Sequence, residues 1–554
     1  MRYDYVIVGG GSAGCVLANR LSADGKHSVC LLEAGPPDTS PFIRIPGGIL
    51  QAIRSARLNW HFWTEPQPHL DNQPRYWPRG RTLGGSSSIN AMCYIRGHAS
   101  DYDHWARLGN AGWSYRDVLP YFRKAEHHER GENDFHGAGG PLNVAPLRDP
   151  NPLSHAFVEA AGQAGHPATA DFNGAQQEGA GLYEVMQKDG ERCSNARAYL
   201  REAEGRKNLT VMTGVRATRI LLDGKRAVGA RVFESGRYVD VLAAREVILA
   251  AGAIGSPQLL LLSGIGPKQE LARHGIAQSL DLPGVGQNLQ DHLDVIVMVR
   301  NKSRLSISFH PRSLWRGLRE LIRFLLFRRG DLTSNSAEAG LFSKSSPAES
   351  IPDLQFHFVI APNTHHARDL GVLFRGYAYS LHVCVLRPKS RGSITLRSAD
   401  AMAAPVIQPD YCAAAGDFDK LVLAFRQARA ILAQPAFEPH RGAELDPGED
   451  VTDEAAIRAW IRANAETVYH PVGTCKMGLD ELAVVDPQLR VRGLTGLRVA
   501  DASIMPTLIG GNTNAPTTMI AERAAAMILE QALAEPATSA PEAGARTAQS
   551  VLAA

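Results

Sequence analysis

The chain has 554 residues, 44% hydrophobic and 21% charged, which are ordinary proportions for a soluble globular enzyme. It is too long for one compact core, so at least two domains are expected. The formal net charge of +3 excludes nucleic-acid binding by bulk electrostatics. Seven scattered cysteines without a Cys-x-x-Cys pair predict free thiols in a reducing, cytoplasmic compartment rather than a disulfide scaffold.

The first 33 residues read as a strand, a glycine turn, a helix and a second strand. An apolar run at residues 5–8 leads into the Gly-x-Gly-x-x-Gly pattern of Gly9, Gly11 and Gly14, and a second run ends on Glu33. Here the first glycine allows a tight turn, the second lets the backbone approach a pyrophosphate, and the third permits close helix packing. The acid would accept the hydroxyls of an adenosine ribose. This segment therefore predicts an ADP-containing cofactor.

Two further blocks have α/β character, one over 191–297 and one at the C-terminus. Between them, apolar and polar residues partly alternate at 354–360, 379–385 and 393–396, which favours an antiparallel sheet. We therefore predict an α/β fold, in which a discontinuous Rossmann-like domain carries an inserted substrate domain of antiparallel sheet and helices. The predicted boundaries are 1–150, 191–297 and 467–534 for the first domain, 151–190 and 298–466 for the second, and 535–554 for a disordered tail.

Two more motifs accompany the N-terminal fingerprint. Residues 80–97 combine adjacent glycines with three serines, which suits a second wall of the cofactor site where backbone lies against a pyrophosphate or a ring system. Residues 252–266 read as a strand end, a helix opening at Ser256-Pro257 and a glycine stop. By itself the second motif indicates internal packing.

Near the C-terminus, His470 is followed by Pro471 and by Gly473, which suits a histidine held on a loop. A neutral imidazole in such a position can take a hydroxyl proton near neutral pH. Asn514, in the stretch Asn-Thr-Asn-Ala-Pro-Thr, could hydrogen-bond the same oxygen. These two residues are therefore candidates for binding one hydroxyl group, and the family resemblance described next implies that they are the catalytic pair.

With these motifs in this order, the chain resembles the glucose–methanol–choline (GMC) flavoprotein oxidoreductases from residue 4 to about residue 530. Within the family it is similar to the bacterial choline-dehydrogenase-like branch and to the aliphatic alcohol dehydrogenases of alkane utilisation. The resemblance implies FAD as cofactor, bound non-covalently because Ile89 stands where some relatives carry the histidine that links the flavin. The implied cofactor-binding residues are Gly9, Gly11, Ser12, Ala13, Gly14, Glu33, Ala34, Leu83, Gly84, Gly85, Ser86, Asn90, Ala91, Val215, Tyr469, Asp501, Ala502, Thr513, Pro516 and Thr517.

The resemblance also implies oxidation of a primary, aliphatic alcohol to the aldehyde. His470 accepts the hydroxyl proton, Asn514 orients the oxygen, hydride goes to flavin N5, and a quinone or similar acceptor takes the electrons. Glu338 and His357 are the candidate substrate residues, and no metal site is predicted. Choline dehydrogenase, an oxygen-using alcohol oxidase and a flavin-dependent hydroxynitrile lyase remain alternatives. A nicotinamide dehydrogenase would explain the fingerprint but not the motif at 80–97.

Residues 312–329 have the pattern of an amphipathic helix with six arginines against one acid, Glu320. Two interpretations stay open: a helix lying in a membrane interface, or a helix packed on the protein with an arginine-rich solvent face. The sequence contains no run of about 18 apolar residues, so it predicts no membrane-spanning helix. We expect a cytoplasmic protein, which under the first interpretation would contact the inner face of the membrane, and the sequence does not indicate an oligomeric state. The apolar stripe consists of Leu314, Trp315, Leu318, Leu321, Ile322, Leu325 and Leu326.

Overall fold

The computed structural model describes residues 1–363 and 371–530, so the tail predicted at 535–554 lies outside the described residues. A seven-stranded sheet forms the first layer, with the N-terminal strand Arg2–Val8 near its centre, parallel to both neighbours. Its strand order is Leu209–Thr213, Val29–Glu33, Arg2–Val8, Arg237–Leu249, Arg226–Glu234 and Arg216–Asp223, with Leu497–Val499 pairing beside Arg237–Leu249. The sheet thus joins strands from all three predicted α/β blocks.

The glycine fingerprint adopts the geometry that its sequence requires. Gly9 has φ of +106°, and a Cβ there would lie 2.6 Å from the Ala250 carbonyl oxygen. A Cβ on Gly14 would lie 1.8 Å from the Gly9 carbonyl oxygen, so the helix Ser12–Ser22 packs against the turn only because this residue is glycine. The turn therefore brings the helix N-terminus to the carboxyl end of the central strand.

A second seven-stranded sheet is antiparallel throughout. Its order is Arg441–Asp446, Leu293–Asn301, Ala378–Val385, Leu354–Val359, Ala337–Ser343 and Gly179–Leu182, with Glu466–Thr467 pairing beside Leu293–Asn301. The predicted fold class is confirmed: a Rossmann-like α/β domain carries a second domain built on an antiparallel sheet.

Three details of the predicted second domain differ from the structure. The boundary between 297 and 298 falls inside the strand Leu293–Asn301, which belongs to the second sheet along its whole length. The boundary between 466 and 467 also falls inside a strand of that sheet, Glu466–Thr467. The predicted strand at 393–396 is Ser393–Thr395, and it pairs with Val406–Gln408 in a separate two-stranded sheet. The other domain limits stay predictions.

Helices cover both sheets, and none in the described part of the chain combines the length and apolarity needed to cross a membrane. All seven cysteines are free thiols, as predicted. The α-helices are Ser12–Ser22, Pro41–Arg44, Ile49–Arg54, Ala99–Arg107, Tyr115–Ala125, Pro152–Gln163, Gly252–Leu262, Lys268–Arg273, Leu314–Phe327, Gly371–Phe374, Asp417–Leu432, Glu454–Asn464 and Asn514–Ile528.

The helix predicted to open at Ser256-Pro257 begins earlier and spans Gly252–Leu262. Pro257 lacks the N–H that would bond the carbonyl of Ala253, one turn before it. The Thr474 hydroxyl donates to that carbonyl at 2.6 Å and satisfies it. The proline is therefore tolerated inside the helix, and the loop that follows His470 is tied to the first domain.

Candidate active site

One large cavity, of about 750 Å³, is lined by residues of both domains. It opens at the carboxyl ends of the parallel strands Arg2–Val8 and Val29–Glu33, where open α/β sheets bind their ligands. Strands of the second sheet supply the opposite wall through Ala337, His357 and His382. The cavity therefore connects the cofactor fingerprint to the inserted domain.

Most of the predicted cofactor-binding residues line this cavity. Gly14, Leu83, Gly84 and Pro516 are not among the lining residues and support the wall from behind. The lining set is Gly9, Gly11, Ser12, Ala13, Glu33, Ala34, Gly85, Ser86, Asn90, Ala91, Val215, Tyr469, Asp501, Ala502, Thr513 and Thr517.

The shape of the wall fits a dinucleotide. Gly85 has φ of +52°, and a Cβ there would come within 2.7 Å of the Gly11 Cα, so the two glycine motifs touch through bare backbone. The Glu33 carboxylate accepts hydrogen bonds from the backbone of Gly10 at 2.9 Å and Gly35 at 2.7 Å. Burial raises the pKa of Glu33 to about 7. A backbone cradle for a pyrophosphate and an oriented acid for a ribose are both present.

His470 is positioned by its backbone and its neighbours. Its N–H donates to the Asp291 carboxylate at 2.7 Å, and the Arg79 guanidinium donates to the Tyr469 carbonyl at 2.6 Å. Tyr469 itself has φ of +67°, in the left-handed region. These bonds fix the turn that presents the imidazole to the cavity.

The His470 imidazole is bonded at both nitrogens. Its Nδ1 lies 2.9 Å from Nδ1 of His292, and its Nε2 lies 3.2 Å from Nδ2 of Asn512. Burial, with smaller effects from His292, His357 and Arg79, lowers the pKa of His470 well below its usual value. The ring is therefore a neutral proton acceptor at neutral pH.

The structure places Asn512, and not Asn514, beside His470. Asn514 is the first residue of the helix Asn514–Ile528, and its carbonyl oxygen accepts from the Ser12 hydroxyl at 2.7 Å. Its amide nitrogen lies 3.1 Å from the Met186 sulfur. The predicted pairing of Asn514 with His470 is therefore replaced by Asn512, since the helix directs the second asparagine of the motif towards the N-terminal turn.

Glu338 does not reach the cavity. Its carboxylate accepts from the Asn151 N–H at 2.7 Å and from the hydroxyls of Ser154 at 2.7 Å and Ser334 at 2.6 Å. Burial raises its pKa. The structure thus assigns Glu338 to the packing between Ala337–Ser343 and its neighbours, contrary to its tentative role as a substrate residue.

The two strand histidines do line the cavity. The His357 ring stacks on Tyr183 with 5.5 Å between centroids, and His382 Nδ1 lies 2.9 Å from the Asp294 carboxylate. The substrate-side position predicted for His357 is therefore compatible with the geometry.

Sequence reasoning missed His292 and its neighbour Asp291. Both immediately precede the buried strand Leu293–Asn301, and neither belongs to a recognised local motif. The signal that could have found them is the polar pair itself, because ionisable residues at the start of a buried strand need partners.

The helix Leu314–Phe327 contacts the protein through Glu320 and Phe324. Glu320 is only 3% exposed and Phe324 only 1%, whereas Trp315 is 79% and Leu326 69% exposed. The Glu320 carboxylate accepts from Arg319 at 2.8 Å and Arg323 at 3.0 Å. Most of the apolar stripe is therefore exposed rather than packed on the protein, and the Arg319 side chain is also largely in solvent.

This exposed apolar face continues into the mouth of the cavity. Leu321 lies on the helix and also lines the cavity. Phe309 and Phe42, which lie outside the helix and are exposed, line the cavity too. An apolar surface thus surrounds one approach to the site that holds His470.

Comparisons with known proteins agree with this architecture. The N-terminal GMC oxidoreductase family model matches residues 3–294, and the C-terminal model matches 388–521. An alcohol dehydrogenase [acceptor] of Pseudomonas putida is 50% identical over 532 residues, covering 96% of both chains. An oxygen-dependent choline dehydrogenase of Photobacterium profundum is 45% identical, covering 95% of this chain and 93% of its own.

Solved structures show the same fold. Pyridoxine 4-oxidase from Mesorbium loti matches with a TM-score of 0.85 and 32% identity, over 96% of this chain and 100% of its own. A formate oxidase variant of Aspergillus oryzae, studied for FAD modification, matches with a TM-score of 0.86 and 26% identity, over 96% and 98%. The chain therefore belongs to the GMC oxidoreductase family, as its motifs predicted, and it is an FAD-dependent oxidoreductase.

Proposed function

We propose that this enzyme oxidises a primary aliphatic alcohol to the aldehyde. The observation that carries the proposal is the convergence of His470 Nε2 and Asn512 Nδ2 on a cavity whose lining from residues 298–466 is largely apolar. The 50% identity to the Pseudomonas putida alcohol dehydrogenase supports the same substrate class. The apolar lining consists of Ile307, Phe309, Leu321, Leu332, Ala337, Val359, Ala361, Pro362, Leu373 and Ala401.

In the reaction, the neutral His470 accepts the hydroxyl proton at Nε2. The Asn512 amide donates to the same oxygen and stabilises the negative charge that develops there. FAD, when bound between the fingerprint and the second domain, supplies the hydride acceptor. Asp291 and Arg79 hold the His470 loop, so the base meets the substrate oxygen in a fixed position.

The FAD is non-covalent in this proposal. The position of the linking histidine in some relatives is Ile89, whose buried aliphatic side chain lines the cavity and cannot form the bond. Acid precipitation of the purified protein is expected to release all of the yellow chromophore into the supernatant. Flavin retained in the pellet would contradict non-covalent binding.

Choline is the second candidate substrate, because several oxygen-dependent choline dehydrogenases are 43–45% identical to this chain. The buried position of Glu338, away from the cavity, argues against its use as a cation site. The test is anaerobic flavin reduction by octan-1-ol and by choline. Faster reduction by octan-1-ol is expected, and a preference for choline would overturn the aliphatic assignment.

One variant tests the proton transfer itself. His470→Gln keeps a polar side chain but removes the base, so flavin reduction is expected to slow by about 10²–10⁴-fold with normal FAD content. A variant that retains the wild-type rate would exclude His470 as the proton acceptor.

We further propose that the helix Leu314–Phe327 docks the protein on the inner face of the cytoplasmic membrane. Its apolar face is exposed, and the six arginines of 312–329 suit the anionic surface of that leaflet. Because Leu321 and Phe309 also line the cavity, docking would bring its mouth to the lipid. Apolar alcohols concentrate there, and so do quinones, which we propose as the class of electron acceptor.

Vesicle sedimentation tests the docking. Wild-type holoenzyme is expected to bind phosphatidylcholine vesicles containing phosphatidylglycerol, and Leu325→Asp with Leu326→Asp is expected to abolish binding. Tyr238→Asp is the matched control, since this exposed side chain belongs to the hairpin of the first sheet. Unchanged sedimentation of the double variant, or self-association through this face without lipid binding, would contradict the proposal.

The identity of the electron acceptor is tested by the rate at which the reduced enzyme is reoxidised. After anaerobic reduction by the alcohol, a soluble ubiquinone analogue is expected to reoxidise the enzyme faster than dissolved oxygen at equal concentration. Faster reaction with oxygen, with stoichiometric peroxide, would make the protein an oxidase.

A further inference from the structure

We propose that His292 is a positioning residue that fixes the tautomer of His470, so that Nε2 is always the unprotonated nitrogen. The inference deepens the proposed function and rests on it. His292 lies behind His470, on the side away from the cavity, and does not line the cavity. It would therefore act only through the imidazole that meets the substrate.

The argument begins at a backbone carbonyl. His292 Nε2 lies 3.0 Å from the Leu386 carbonyl oxygen, which can only accept a hydrogen bond. His292 Nε2 must therefore carry the proton. Burial lowers the pKa of His292 to about 3, so the ring is neutral and its Nδ1 has a bare lone pair.

The contact between His292 and His470 then determines which nitrogen of His470 carries the proton. The two Nδ1 atoms lie 2.9 Å apart, with the ring planes at 86° to each other. Two bare nitrogens at that distance would repel, so the hydrogen bond requires that His470 Nδ1 carry the proton and donate. A neutral imidazole has only one N–H, and His470 Nε2 is therefore unprotonated.

A separate set of bonds leads to the same tautomer from the cavity side. The Asn512 carbonyl oxygen accepts from Gln355 Nε2 at 2.9 Å, which orients the Asn512 amide. Its Nδ2 then points at His470 Nε2, 3.2 Å away, and an N–H donor there needs an acceptor. Both neighbours of His470 thus require a bare Nε2.

This arrangement also determines where the proton goes. When His470 takes the hydroxyl proton at Nε2, the proton cannot be relayed through His292, because the N–H on the far side of His292 points at a carbonyl. The proton is therefore accepted and released at the same atom. The other charged and titratable groups near the imidazole are His357, Arg79 and Asp291, and Asp291 accepts from the backbone N–H of His470.

Two substitutions at one position separate tautomer control from simple packing. His292→Gln offers an amide oxygen to accept from His470 and an amide nitrogen to donate to Leu386, whereas His292→Leu offers neither. In holoenzyme with normal FAD content, the leucine variant is expected to reduce flavin about 10²-fold more slowly, with the KM for the alcohol changed less than about threefold. The glutamine variant is expected to recover most of the rate. Equal rates in both variants, whether normal or impaired, would overturn the proposal.

A direct measurement covers the case in which the leucine variant does not fold. In ¹⁵N-histidine-labelled wild-type holoenzyme, the His470 signals, assigned by their loss in His470→Gln, are expected to show a protonated Nδ1 and an unprotonated Nε2. The reverse pattern would refute the inference. Failure of the proposed alcohol oxidation is recognised separately, since wild-type flavin would then stay oxidised with every alcohol while the tautomer could still be observed.

Discussion

Replacing Asn512 by alanine tests the most specific difference between sequence and structure. The Asn512 amide lies 3.2 Å from His470 Nε2, so both groups can bond one substrate oxygen. Asn514 lies in the same motif and also lines the cavity, but its Oδ1 accepts from the Ser12 hydroxyl at 2.7 Å, in the N-terminal fingerprint. Asn512→Ala should therefore slow flavin reduction by removing a hydrogen bond to the substrate oxygen, and Asn514→Ala should not remove that bond.

The magnitude follows from the charge on the oxygen. A hydrogen bond to a charged group contributes about 1.5–3 kcal/mol, and each 1.36 kcal/mol changes a rate tenfold. Asn512→Ala is thus expected to slow flavin reduction by about 10- to 150-fold. Because the bond strengthens as the oxygen loses its proton, the loss should appear in the limiting rate constant more than in the alcohol concentration at half saturation.

The assay is anaerobic stopped-flow reduction of the bound flavin by octan-1-ol, with FAD content measured for each variant. Asn514→Ala is the matched control: any effect should accompany weaker FAD retention, since its partner Ser12 belongs to the cofactor wall. A normal rate in Asn512→Ala, or an equal loss in an FAD-replete Asn514→Ala, would refute the reasoning.

Three further outcomes are expected. Burial lowers the pKa of His470 below 6.5, so the base stays neutral on acidification, and the rate of flavin reduction should be constant from about pH 8 to about pH 6.5 and fall only below pH 6.5. A rate that already falls above pH 7 would contradict this expectation. Asp291→Asn identifies any decrease that is due to Asp291, whose pKa burial raises to about 6. Gly85→Ala would place a Cβ 2.7 Å from Gly11 at a positive φ, so purified protein should contain less than about a tenth of the wild-type FAD, whereas full occupancy would argue against the backbone contact. Glu338→Gln replaces the charged acceptor of three buried donors by a neutral amide and should cost about 1–3 kcal/mol of stability in denaturant unfolding. The ratio of octan-1-ol to choline turnover should stay unchanged, and a shifted ratio would restore Glu338 as a substrate residue.

The sequence by itself determined the cofactor half of this protein. The fingerprint from Gly9 to Glu33 is local, because one strand, one turn and one helix create the cradle, and Gly9 and Gly14 are required by contacts within that unit or beside it. The fold class followed from the same periodicities. His470 could also be predicted from the sequence as a functional histidine, because the proline and glycine that shape its loop are its neighbours in the chain.

The tertiary structure decided the rest. The partners of His470 come from positions 292 and 512, and no local pattern distinguishes Asn512 from Asn514, because their roles depend on where the following helix begins. The orientation of the helix Leu314–Phe327 was equally ambiguous in the sequence, because its apolar stripe has the same period whichever side meets the protein. The exposure of Trp315, Leu325 and Leu326 in the structure shows that most of the stripe faces out. Periodicity defines the faces of an element, whereas its contacts across the fold decide what each face meets.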